Sequence, residues 1–347
     1  HNPFMRENGT DRRFTGYVSD VITDKCIDWL EQRDVSKPFA LMCHHKAPHR
    51  PWEPGHKYRH LYEDVDIPEP DTLWDEYTNR AKAAEVARMR MEDLTATDLK
   101  QPVPAGLTWQ EERRWRYQRY IKDYLRTIAS IDDSTGRLLD YLDEHDLAEN
   151  TIVIYTSDQG FFLGDHNWFD KRFMYDHSLQ MPFLIRYPKE IPAGSVNGDI
   201  LTNTDFAPTL LDYAGVAIPE DMQGVSARAM LRGETPADWQ QSMYYRYWMH
   251  GEAAHNTCSH YGIRNRRYKL IYYYAKALDM GGASDALQLE PEWELFDLEK
   301  DPQELNNVYH DPAYGEVVRE LTAELERLQA HYGDTAEHSA STAGSAT

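Results

Sequence analysis

Asp158 and Gln159 close a run of β-favouring residues, "IVIYTSDQG", and set a carboxylate beside an amide carbonyl. Two such oxygens suit a hard cation such as Ca2+ or Mg2+, whose remaining ligands must come from elsewhere. Taken alone, the pair reads more simply as the Asx-type turn an Asp makes before Gly160. His166 and Lys171 follow in "FFLGDHNWFDKRF". A lysine is a compact charge that can neutralise an oxyanion, and a histidine can give a hydrogen bond or a proton. Each alone reads as a solvated loop residue, but the apolar neighbours "FFLG" and "NWF" indicate a loop packed down on the protein. A second stretch, "HHKAPHRPWEP", gathers His44, His45, Lys46, His49 and Arg50 around Pro48, Pro51 and Pro54. The prolines forbid regular structure, and the density of donors suits a tetrahedral anion. They also exclude a His-x3-His zinc helix, and no paired cysteine ligand is near.

The elements that must position these residues follow from periodicity. "GYVSDVITDKCIDWLEQR" carries Val21, Ile22, Cys26, Ile27 and Leu30 at helical spacing, with Ser19 or a neighbouring Asp as the expected cap. "KPFALMCHH" suits a short buried strand. Residues 68–108 are polar and Pro-punctuated, an expected irregular surface excursion. The stretch from Thr108 to Leu147 is helical, with Tyr117, Tyr120, Ile121, Tyr124, Ile128, Ile131, Leu138 and Leu142 near one stripe. Its Arg113, Arg114, Arg116 and Arg119 read as a solvated face. "TIVIYT" and "MPFLIRYP" are apolar strands, and "TDFAPTLLDYAG" is a helix. Helices alternating with apolar strands predict an α/β fold, a mainly parallel sheet flanked by helices, with ligands beyond the carboxyl ends of the strands. Both donor-rich loops occupy that position and are expected to converge.

From about Gln240 the chain becomes aromatic and β-rich, with Asn265-Arg266 an expected hairpin tip and a final amphipathic helix from about Tyr314 to His331. The expected organisation is 1–235 as catalytic α/β domain, 236–333 as a small C-terminal antiparallel sheet plus helix, and 334–347 as a disordered tail. The first residues, "HNPFMRENG", show neither a leader pattern nor a natural beginning, so a preceding segment is expected.

Composition narrows the partners. The 347 residues carry a formal net charge of −21, which disfavours a nucleic acid, since phosphate backbones attract basic surfaces. No apolar run approaches the ~20 residues of a membrane helix. The 3 cysteines do not make a disulfide scaffold, and Cys26 and Cys43 read as buried thiols.

The combination "KPFALMCHHKAPHRPW", "YTSDQGFFLGDHNWFDKRFMYDHSLQMPFLIRYP" and "NTDFAPTLLDYAGV" resembles the sulfatase family of the alkaline-phosphatase superfamily. "HYGIRNRRYKLIYYY" and "WELFDLEKDPQELNN" are similar to its C-terminal subdomain. Within the family the chain looks most like enzymes of the N-acetylglucosamine-6-sulfatase type. The resemblance implies hydrolysis of a sulfate ester on a carbohydrate, with a sulfated saccharide as partner. Asp158 and Gln159 would ligate one Ca2+ ion, Lys171 would hold the sulfate, and His49 would contact the bridging oxygen and protonate the leaving alcohol. Asp170, Arg172, His255 and His260 are the candidate contacts to the sugar.

Two features depart from the family. Its nucleophile is a formylglycine made from Cys or Ser in a C/S-x-P-x-R segment, and none is present; "SKPFA" at Ser36 ends in Ala40 where Arg belongs. The paired aspartates that complete the cation site and the Lys-Trp-His segment are also missing. The expectation is a C-terminal portion of a sulfatase, without turnover alone. Two alternatives stay open. A phosphatase or phosphodiesterase of the superfamily would use two metals and histidines after the Asp ligand, where this chain has Gln159. A non-catalytic glycan-binding relative would never have had the nucleophile.

Overall fold

Thr108 starts the longest helix because its side chain and that of Glu111 satisfy each other's backbone N–H groups, a complete capping box. In the computed structural model, which describes residues 1–334, the chain divides into two units, 1–70 with 91–152 and 71–90 with 153–334. No helix among the described residues is long and apolar enough to cross a membrane.

The first unit holds the hairpin β1 (Phe4–Glu7) and β2 (Thr10–Arg13), helix α1 (Val18–Gln32) and helix α2 (Trp109–Glu144). α1 buries Ser19, Val21, Thr23, Cys26 and Leu30, while Tyr17 rather than Ser19 is its N-cap, without a side-chain cap bond. Ser19 sits inside the helix, its carbonyl accepting from Thr23 Oγ1 at 2.9 Å. α2 buries Tyr117, Tyr120, Ile121, Ile131 and Leu142 of the expected stripe, together with Tyr141, while Tyr124, Ile128 and Leu138 are half-buried. Its arginines are not a bare solvated face. Arg113 pairs with Glu92, Arg114 with Glu69, Arg116 with Glu112, and Arg119 with the buried Asp123. Asp123 also takes Lys100 and Arg126, so burial selects partners that restore the hydration this carboxylate loses.

The second unit contains β3 (Val153–Thr156), β4 (Phe162–Leu163), β5 (Phe169–Asp170), β6 (Phe183–Arg186), helix α3 (Phe206–Tyr213), strands β7 (Ser242–Tyr247), β8 (His260–Asn265), β9 (Tyr268–Tyr273) and β10 (Glu292–Asp297), and helix α4 (Gly315–Tyr332). β7 to β10 form one antiparallel sheet in the order β10-β9-β8-β7. Its β8–β9 turn is fixed by Asn265 Oδ1, which accepts from the N–H groups of Arg267 and Tyr268 at 2.9 and 2.7 Å. Leu321, Leu325 and Leu328 of α4 pack on Ile263, Leu270 and Leu295 of that sheet.

Three expectations change. Among the described residues every strand pair is antiparallel, β3 with β6 included, so the mainly parallel sheet is not formed by these pairings. "KPFALMCHH" is in no strand, since apolar alternation makes a segment extended while only a hydrogen-bonded neighbour makes it a strand. Residues 71–90, read as surface excursion, supply Tyr77, Ala81, Ala83, Ala84, Ala87 and Met89 to a core with Phe162, Trp168, Phe173, Tyr175 and Phe296. Small alanines among charged residues hid that burial. The tail expected from 334 lies, beyond Asp334, outside the described residues.

Candidate functional site

β3 delivers its last side chains into a turn that glycine makes possible. Gly160 N–H donates to Ser178 O at 2.9 Å, and a Cβ there would collide with the His177 carbonyl. This contact holds the chain directly after Asp158 and Gln159. Asp158 is exposed and accepts weakly from Ser157 Oγ at 3.3 Å and Gln159 Nε2 at 3.4 Å. Its oxygens are therefore free of any strong competing donor, as a cation ligand requires, and the donor chemistry fits Ca2+. Among the described residues no group of three or more His, Cys, Asp or Glu is arranged to hold a metal ion. Asp158 and Gln159 by themselves offer a carboxylate and an amide oxygen side by side.

The hairpin β4–β5 presents the next group. Phe162 pairs with Asp170, and Trp168 is stacked on Phe173 and Tyr77 in the core, so the hairpin is packed down as its apolar sequence predicts. His166 is fully buried. Its N–H donates to Thr72 Oγ1 at 3.0 Å and its Nδ1 lies 3.1 Å from Asp75 Oδ2. Burial would raise the Asp75 carboxyl, but His166 and Arg80 outweigh it and bring it to about 2. His166 therefore buttresses the hairpin instead of opening toward a ligand.

Asp170 sits in the left-handed region at φ 74, which turns the chain so that Lys171 and Arg172 flank its carboxylate. Lys171 Nζ is 3.6 Å from Asp170 Oδ1, Arg172 Nε is 3.3 Å from the same oxygen, and His255 Nε2 is 2.9 Å from Oδ2. The Arg172 and His255 contacts are at ion-pair distance but off the line of a hydrogen bond. Burial would raise the Asp170 carboxyl; His255, Arg172 and Lys171 outweigh it and hold it well below the usual carboxylate range. Lys171 is 8 % exposed and lies 5.4 Å from the Phe161 ring centroid. Burial pulls its proton affinity down, the charges of Asp170 and Asp158 push it up, and Arg172 lowers it. The net effect is a Lys171 ammonium held below its ordinary value by burial, with the Asp158 carboxylate near enough to oppose that shift.

The structure brings Asp158, Lys171, Asp170, Arg172 and His255 into one neighbourhood of the second unit. His255 carries a second carboxylate on its other nitrogen, Nδ1 lying 2.8 Å from Glu252 Oε1. The sequence reading missed Glu252, although its i,i+3 spacing to His255 was legible. It also missed Tyr245 and Tyr247, which feel the charge of Arg172 and which only the sheet brings there. His260 is different. It has no exposed surface, stacks between Phe173, Tyr245 and Tyr247, and donates from Nδ1–H to Cys258 O at 2.8 Å. Burial drives its imidazole down to about 4, so it is a neutral ring of the core.

His49 belongs to the first unit. It is exposed, its N–H donates to Lys46 O at 2.9 Å, and its Nδ1 lies 3.0 Å from Arg50 O. The loop is anchored by its neighbours. Arg50 makes a bidentate pair with buried Asp98, and the buried Trp52 ring meets Tyr120 edge-on at 4.7 Å. Asp98 is in turn held by the Thr95 capping box.

Residues 2–216 match the profile described as Sulfatase, and residues 164–331 match N-sulphoglucosamine sulphohydrolase, C-terminal. The chain is 39% identical to an N-acetylglucosamine-6-O-sulfatase of Bacteroides thetaiotaomicron over 96% of this chain and 65% of that protein. It is 30% identical to an arylsulfatase of Clostridium perfringens over 92% of this chain and 60% of that protein. The chain thus spans less than two thirds of the length of these relatives. Among solved structures it is similar to a protein in complex with its substrate D-glucosamine-2-N,6-O-disulfate, at TM-score 0.90 and 40% identity, covering 97% of this chain and 74% of that one. These neighbours have the alkaline-phosphatase-like fold of sulfatases.

Proposed function

Because the chain belongs to the sulfatase family, we propose that its side chains serve hydrolysis of a sugar O-sulfate, with 6-O-sulfated glucosamine as the substrate. The observation that carries this reading is Lys171: a buried side chain at the end of β5, 3.6 Å from Asp170 Oδ1 and within the influence of the Asp158 carboxylate that follows β3. A buried cation aimed at an anion is stronger than a solvated one, because water competes less. The relative named for N-acetylglucosamine 6-O-sulfate and the neighbour holding a glucosamine disulfate support the choice of sugar.

In this reading Lys171 binds a sulfate oxygen. His49 contacts the bridging oxygen and gives its proton to the leaving alcohol. Asp170, Arg172 and His255 hydrogen-bond the sugar hydroxyls, with Glu252 fixing the His255 ring and His260 supporting the aromatic wall behind it. Asp158 and Gln159 would be two of the ligands of one Ca2+ ion, which would supply positive charge to offset that of the sulfate. The single amide at Gln159, where a two-metal phosphatase needs histidine, favours the sulfatase over that alternative. Formylglycine is the family's nucleophile, and no residue of the 347 begins a C/S-x-P-x-R segment. We therefore assign no step to it and propose that this chain alone turns over no ester. We also propose that β3 belongs to a mainly parallel sheet in the whole protein, and that residues 236–333 are a C-terminal subdomain, which their own four-stranded sheet and helix support.

The test is saturation-transfer NMR of the chain with glucosamine 6-sulfate against unsulfated glucosamine. The expected result is transfer to the sulfated sugar only, abolished in Lys171→Ala. Equal transfer to both sugars, or an unchanged signal in the variant, defeats the assignment. Sulfate release by the purified chain would defeat the non-turnover part alone.

A further inference from the structure

His255 is clamped between two carboxylates from different parts of the second unit. Its Nδ1 lies 2.8 Å from Glu252 Oε1 on its own loop, and its Nε2 lies 2.9 Å from Asp170 Oδ2 at the end of β5. The ring is 5 % exposed. Neither partner is free to turn away. Glu252 Oε1 also takes the His255 N–H at 2.8 Å, its Oε2 takes the Ala254 N–H at 2.8 Å, and His255 O accepts from the Arg88 N–H at 2.6 Å. The Phe169 ring lies beside the imidazole at 6.4 Å. A neutral imidazole carries one N–H and one lone pair. Whichever nitrogen held the lone pair would face a carboxylate oxygen at 2.8 or 2.9 Å, where little water is present to screen the repulsion. Only the imidazolium presents an N–H on both sides. Against burial, which raises it, His255 is the foremost of the groups that hold the Asp170 carboxyl down. Lys171 and Arg172 occupy the other side of that carboxylate, 3.6 and 3.3 Å from Oδ1. With His255 charged, three cations meet two carboxylates, and the cluster keeps one net positive charge within a chain of net charge −21. With His255 neutral it would keep none.

We propose that His255 is an imidazolium at neutral pH and supplies the surplus positive charge with which this cluster holds a sulfated saccharide, Glu252 being the positioning residue that keeps the ring charged. The binding role rests on the reading of Lys171 as the sulfate contact; the charge of the ring does not. A local surplus of positive charge attracts an anion that the acidic remainder of the chain repels. The groups that face the ring are Asp170, Lys171 and Arg172 at the end of β5, Glu252 on its own loop, and Tyr247 on β7. Burial pushes the Tyr247 hydroxyl up to about 12, so it stays neutral. Arg172 is always charged. The surplus is therefore present on the acid side and is lost as rising pH takes a proton from His255. Burial lowers Lys171 as well, so it sheds its proton in the same direction, and the ring itself has to be read.

The experiment records two-bond proton–nitrogen NMR spectra of isotope-labelled histidine rings in the whole chain, from mildly acidic to alkaline pH, with His255→Gln identifying the His255 signals. The expected pattern near neutral pH is two protonated nitrogens on that ring. In Glu252→Gln the second proton is expected to leave at a pH lower by about one unit or more, since a carboxylate at hydrogen-bond distance has been removed. A single ring proton near neutral pH overturns the proposal, and an unchanged titration in Glu252→Gln overturns the part assigned to Glu252. Saturation-transfer titration with glucosamine 6-sulfate then reads the binding role. His255→Gln is expected to hold the sugar about tenfold more weakly. Wild-type binding is expected to fade over the pH range in which the ring loses its second proton. Unchanged affinity in His255→Gln, or a binding profile that does not follow the ring, overturns the role in binding. A wild-type chain that binds no sulfated sugar at any pH defeats the reading of Lys171, whereas the ring spectra still decide the charge of His255. If a variant fails to fold, the wild-type ring spectrum and binding profile decide together.

Discussion

Lys269→Met is expected to weaken the second unit by about 3 kcal/mol, the low end of the cost of breaking a buried ion pair from one side. Lys269 is fully buried on β9, with Nζ 2.6 Å from Asp176 Oδ1 and in a short contact with the equally buried Glu304. The low end applies because neither acid is left bare. Asp176 keeps its two bonds from Arg264, at 3.1 and 2.8 Å, and Glu304 Oε2 keeps the Asp176 N–H at 2.7 Å. Methionine fills a similar volume, so little of the loss is cavity. The uncompensated group is Glu304, whose carboxyl burial already raises and which Lys269 pulls back down. Without Lys269 it rises further. An acid whose folded value is raised weakens folding above that value, so the deficit is full near neutral pH and shrinks as Glu304 takes a proton on acidification. Two units make a single unfolding transition an unsafe measure, so the assay is native-state hydrogen exchange of the β9 amides. Opening there is expected to be faster on the order of 100-fold. Lys269→Met/Glu304→Gln, which removes the stranded charge, is expected to recover half or more of the loss. A single variant costing under about 1 kcal/mol, or a double variant no better than the single, refutes the reasoning.

Asp170→Asn is expected to flatten the acid limb of stability. The native carboxyl is held below its ordinary 3.8, so it stabilises the fold above that value and the contribution fades as pH falls through the native value. Native-state hydrogen exchange of the β4 and β5 amides from pH 2 to 6, corrected for intrinsic exchange, checks this, a variant with the wild-type acid slope being the contrary result. Gly160→Ala is expected to cost about 1–3 kcal/mol by forcing Cβ against the His177 carbonyl and loosening the Gly160 N–H to Ser178 bond. The check is accelerated exchange at Gly160 and limited proteolysis within 157–164; a variant as protected as wild type opposes it.

What the sequence by itself determined is the local part. The turn at Asp158 after β3, the capping box of α2, the β8–β9 turn at Asn265 and the stripe of α4 all depend on residues within a few positions of each other, where steric preference and periodicity act directly. The identity of Lys171 as a packed-down cation was legible too, because "FFLG" and "NWF" have to be buried. Tertiary structure alone decided which groups meet. Asp75 holds His166 from 91 residues away, Glu304 holds Lys269 from 35, and Arg50 holds Asp98 from 48. It also made His260 a core ring and paired Arg113 with Glu92 and Arg114 with Glu69. Each of these outcomes depends on desolvation, and a side chain loses water only through atoms that distant parts of the chain bring to it.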